Sequence, residues 1–63
     1  MSTTDDRIIR LPEVIYLTGR SRSAIYRLVA ESSDFPQPVR LGRSVGWRMS
    51  EIQEWIASRE RVA

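Results

Sequence analysis

Neither cysteine nor histidine occurs in this 63-residue chain, and lysine is missing as well. Without cysteine there can be no disulfide staple, and without Cys or His no ordinary zinc site, so packing alone must hold the fold. A chain this short has room for one small core and not two. No apolar run approaches the length of a membrane span. The opening Met1-Ser2-Thr3-Thr4-Asp5-Asp6 is polar and acidic, which reads as a flexible tail over residues 1–7 and not as a signal peptide. A cytoplasmic location is the expectation. An enzyme lacking His and Cys would have to rest on carboxylates, and no pair of them is spaced for a credible pocket. The sequence therefore implies no catalytic residue, cofactor, metal or small-molecule substrate. It contains no internal repeat and no low-complexity segment.

What the chain does have is arginine. All ten basic residues are of that type, and their distribution says more than the net charge of +2. Residues 20–48 hold six arginines against Glu31 and Asp34, a local balance of +4, whereas residues 1–19 and 49–63 each hold two arginines against three acids, or −1. A planar guanidinium can fork onto phosphate or guanine, which an ammonium cannot. A solvated basic surface is the bland reading of any one arginine; the clustering points to nucleic acid.

Element order follows from punctuation and spacing. Leu11-Pro12-Glu13 opens a helix, with proline acceptable in the first turn and the carboxylate suited to the positive end of the dipole. Leu11, Val14 and Leu17 form its apolar stripe, and Gly19 permits the left-handed turn that closes it. Ser21 is a strong N-cap for a second helix over 22–31. There Ala24, Ile25, Leu28 and Val29 recur on one side, expected to be buried, and Ser23, Tyr26, Arg27 and Ala30 on the other, with Arg22 at the edge. Phe35, extended before Pro36, is a core anchor. Val39-Arg40-Leu41 and Val45-Gly46-Trp47-Arg48 read as strands around a Gly42-Arg43-Ser44 tip, with Val39, Leu41, Val45 and Trp47 expected inward and Arg40 outward. Ser50 to Gln53 fits a capping box for a last helix that buries Ile52, Trp55 and Ile56, with Arg59 and Arg61 near its negative end. The acidic outer face of that helix is scaffold. Trp47 and Trp55 could be stacking platforms for single strands, but each shares a face with aliphatic residues and is read as core.

The expected fold is mainly α with a small β-hairpin: a winged helix-turn-helix over residues 8–63, made of helix, turn, helix, hairpin wing and C-terminal helix. Leu11-Pro12-Glu13-Val14, Thr18-Gly19, Ser21-Arg22-Ser23, Ile25-Tyr26-Arg27-Leu28, Phe35-Pro36, Val39, Leu41-Gly42 and Val45-Gly46-Trp47-Arg48, then Ser50-Glu51 and Trp55, resemble in their order the AlpA family. Its members are short prophage-associated regulators of the excisionase/MerR-like winged-helix type. The resemblance runs over about residues 8–57. It implies a sequence-specific double-stranded DNA-binding regulator of transcription, with an excisionase-like architectural factor as the alternative. A protein-interaction module without DNA binding stands third, and the arginine-bearing hairpin argues against it.

Carried over to this chain, the recognition positions are Ser21, Arg22, Ser23, Tyr26 and Arg27, and the wing positions Arg40 and Arg43 with Ser44. Arg20 departs from the family pattern, which has an apolar residue after the turn glycine, so the expectation is either a less buried turn or an added phosphate contact. The wing tip is one residue tighter than in many members. Tyr26, opposite Ile25, is read as an exposed base reader in preference to a partly buried ring. One recognition helix gives limited affinity, so a second copy of the chain on DNA is the other expected partner.

Overall fold

The computed structural model of the chain describes residues 7–59, in the order β1 (Ile8–Ile9), α1 (Leu11–Thr18), α2 (Arg22–Glu31), β2 (Val39–Leu41), β3 (Ser44–Arg48) and α3 (Met49–Ala57). The three strands form one antiparallel sheet in the order β1-β3-β2, and with the helices make a winged helix-turn-helix. None of these helices is long and apolar enough to cross a membrane.

Both early helices end and begin where their punctuation places them. Pro12 lies in the first turn of α1, and Gly19 closes it at φ 72°, donating its N–H to the Ile15 carbonyl at 2.8 Å. The Ser21 side chain accepts the Ala24 N–H at 3.2 Å and caps α2. The tight Gly19–Ser21 connection follows from these two caps: one helix must stop at the glycine, and the next can start only at the serine.

The start of α3 departs from the expected capping box. The helix begins at Met49, after an N-cap Arg48 that makes no side-chain cap bond, so Ser50 is its second residue. The Met49 N–H is instead satisfied by the Arg7 carbonyl at 2.9 Å. The residue before β1, a strand that sequence reading missed, thus satisfies the first N–H of α3. β1 has only two residues, too few to show an alternation, and pairs Ile8 with Arg48 and Ile9 with Trp47. The tail expected over 1–7 lies outside the described residues except for Arg7, which ion-pairs with Glu13 at 3.0 Å. Arg61 also falls outside them.

The hairpin has a two-residue turn, Gly42-Arg43, and Ser44 belongs to β3 opposite Leu41. Gly42 has φ 63° and Arg43 does not share that sign, the pattern of a type II′ turn. This register overturns the expected facing of β2. Directly paired residues share a face, so Val39, opposite Gly46, and Leu41, opposite Ser44, lie on the side away from Trp47. Leu41 is accordingly exposed, as is Val45 at the far end of the Trp47 face. Arg40 is exposed as expected, though it pairs with Val45. Gly46 is required by close approach: a Cβ there would stand 2.5 Å from Ile8 Cγ2 and 2.9 Å from the Ile9 carbonyl oxygen.

Ile9, Leu11, Val14, Ile25, Phe35, Trp47 and Ile52 form the core, with Leu17, Leu28, Val29, Trp55 and Ile56 packed half-buried against it. Trp47 is wholly buried and donates its indole N–H to the Pro36 carbonyl at 3.1 Å, fixing the 33–38 loop over the sheet. Phe35 meets Trp55 edge-on at 5.0 Å between centroids. The Arg59 guanidinium lies 4.5 Å above the Trp55 ring and bonds Asp34 at 2.9 Å, tying the end of α3 to that loop.

Candidate nucleic-acid interface

α2 divides as a helix must when one stripe is apolar. Ile25 is wholly buried, Leu28 and Val29 are half-buried, and Arg22, Ser23, Tyr26, Arg27 and Ala30 are exposed. Tyr26 keeps 47% of its surface accessible, so its phenol is presented outward. Ser23 and Ala30 are small, which leaves the bulky Tyr26 and Arg27 standing above a low surface. Ser21 is exposed but its oxygen is already engaged as the cap. Arg20 is exposed in the turn, where its backbone N–H donates to Thr18 Oγ1 at 3.3 Å.

The hairpin contributes the second group. Arg40 on β2 and Arg43 in the turn are exposed, whereas Ser44 is half-buried in β3 and less available than a tip residue. α2 and the hairpin are held through a shared core, Ile25 from one and Trp47 from the other, so both groups stand on packed elements.

Electrostatics separate the arginines into two sets. Arg7 is paired with Glu13 and Arg59 with Asp34. Among the described residues the side chains of Arg10, Arg20, Arg22, Arg27, Arg40 and Arg43 make no ion pair or hydrogen bond. Five of those six lie between residues 20 and 43. Asp34 is held below the ordinary carboxylate range, first by the hydrogen bond from the Ser32 hydroxyl and then by that from the Arg59 guanidinium. The fold therefore pairs Arg7 and Arg59 and leaves Arg10, Arg20, Arg22, Arg27, Arg40 and Arg43 to solvent.

Two exposed features went unnoticed in the sequence. Tyr16, on α1, is 84% exposed. Its position off the Leu11–Val14–Thr18 side of the helix was a readable signal, because a ring one-third of a turn outside the apolar stripe has nothing to pack on. A concavity of about 550 Å³ between the 33–39 loop and α3 takes in Asp34, Glu51, Glu54 and Trp55 and none of the unpaired arginines.

Comparison with known proteins gives the family. The family model described as prophage CP4-57 regulatory protein (AlpA) matches residues 7–60. The chain belongs to the AlpA family. Within that family it is 46% identical over 57 residues to the uncharacterized protein ORF88 of Enterobacteria phage P4, a match covering 89% of this chain and 64% of that protein. It is 44% identical over 59 residues to the DNA-binding transcriptional activator AlpA of Escherichia coli (strain K12), covering 84% of each. The chain thus spans somewhat under two thirds of the phage P4 relative. No solved structure matches the chain.

Proposed function

We propose that this AlpA-family chain is a sequence-specific double-stranded DNA-binding regulator of transcription. α2 enters the major groove, where Arg22, Ser23, Tyr26 and Arg27 face base edges, and Ser21 and Arg20 lie against the strand that borders the groove. The hairpin lies on the flanking backbone through Arg40 and Arg43, with Ser44 beside them. The observation that carries this reading is the set of unpaired arginines on α2, its leading turn and the hairpin. Leaving cations unpaired is favourable only where solvent or an anionic partner compensates them, and DNA offers a row of such partners at regular spacing. The Escherichia coli relative, named as a DNA-binding transcriptional activator, supports the same partner.

Selection of preferred duplexes from a randomised pool, repeated with Arg22→Ala, tests the reading. The parent is expected to select a defined site. The variant should lose about 1–3 kcal/mol on that site and its preference at one base position. A uniform loss over all sequences would move Arg22 to the backbone, and no selection by the parent would end the proposal.

A further inference from the structure

One flank of α2 carries a smaller concavity, of about 230 Å³, lined by Arg20, Ala24, Arg27, Leu28, Glu31 and Ser32. Its floor is the half-buried pair Ala24 and Leu28, one turn apart on the helix, and its rim holds two unpaired guanidiniums and one exposed carboxylate. A phosphate is a poor occupant. It would bring its charge against Glu31 and set its oxygens over methyl groups that can donate nothing. A base edge fits better, because it is both apolar and polar within a few ångströms. The C5-methyl of thymine is the one hydrocarbon group displayed in the major groove, and a neighbouring guanine offers two acceptors to an arginine.

We infer that this flank is a thymine-methyl site: Ala24 and Leu28 receive the C5-methyl while Arg27 or Arg20 takes the adjoining base or phosphate. The inference rests on the DNA-binding reading above and adds specificity-determining residues that the arginine pattern does not supply. Glu31 sharpens the discrimination, since a carboxylate accepts hydrogen bonds from the exocyclic amino groups of adenine or cytosine and repels a phosphate that slides into the flank.

The test uses the intact chain and its selected duplex. Each thymine is replaced singly by deoxyuridine, which removes the methyl and leaves every hydrogen-bonding group in place. Burial of one methyl group predicts a loss of about fourfold in affinity at one thymine position, with the others unchanged. In Ala24→Ser, whose fold is checked by circular dichroism and thermal melting, thymine and deoxyuridine should bind alike at that position. Equal binding of deoxyuridine at every position, a selected site without a required thymine, or a thymine preference that survives in Ala24→Ser overturns the inference while leaving DNA binding intact. Absence of selective binding by the parent removes the reading beneath it as well.

Discussion

The arginines at the ends of the fold and those at its centre carry one side chain in opposite circumstances. Arg59 stacks on Trp55, bonds Asp34 and donates to the Trp55 carbonyl at 3.2 Å, so the end of α3 and the 33–38 loop become one unit. Arg7 reaches Glu13 while its carbonyl starts α3. Arg22, Arg27, Arg40 and Arg43 touch no acid, although Glu31 stands one turn from Arg27 on the same helix. The difference teaches where this small domain spends its charge. Arg7 and Arg59 close a fold that no disulfide staples, and Arg22, Arg27, Arg40 and Arg43 are left for a partner outside it.

Substitutions in the scaffold should then act on stability alone. The largest effect is expected for Trp47→Ala, which removes a wholly buried ring and orphans the Pro36 carbonyl. A loss of about 3–5 kcal/mol is roughly all that a core of this size supplies, so urea titration should show a chain unfolded in water. Gly46→Ala comes next, at about 1–3 kcal/mol, because its Cβ meets backbone as well as side chain. Pairing it with Ile8→Ala should restore little, since the Ile9 carbonyl stays where it is.

The two tryptophans sharpen the comparison further. Trp47→Phe loses a buried hydrogen bond and should cost about 1–3 kcal/mol beyond the lost area. Trp55 has its indole nitrogen buried with no acceptor among the described residues, so Trp55→Phe should be markedly milder in the same melts. The smallest effect concerns pH. Asp34 has a lowered pKa in the fold, so it adds stability above its unfolded value and loses it as pH falls through the folded one. Asp34→Asn should therefore show a shallower loss of melting temperature below about pH 4 than the parent, and no added loss at neutral pH beyond the Arg59 contact.

Much of this was legible in the chain because caps and periodicity agreed. Gly19 and Ser21 each have one natural place, and Ile25, Leu28 and Val29 leave α2 a single face to bury. β1 was not legible: two isoleucines make no pattern, and their meaning comes from pairing with β3. The N-cap position assigned to Ser50 was also missed, since α3 starts at Met49, whose N–H a distant carbonyl from Arg7 accepts. Leu41 was misplaced because β2 was read alone, whereas register with Ser44 decides its face. Of the proposed site, the arginine positions were visible as a charge cluster; that they lack acidic partners is a three-dimensional fact.

The most direct measurement is the salt dependence of duplex binding, by fluorescence anisotropy, in two paired variants. If about four to six phosphates are neutralised, log affinity should fall with log salt at a slope of about −4 to −5 in the parent. Arg40→Ala with Arg43→Ala should make that slope shallower by about one unit for each lost contact, evenly across sequences. Arg7→Ala with Arg59→Ala removes the same charge from the paired set and should leave the slope where it was, while lowering the melting temperature. Equal slopes in both variants, or a change confined to the paired set, would contradict the division of arginines on which the account rests.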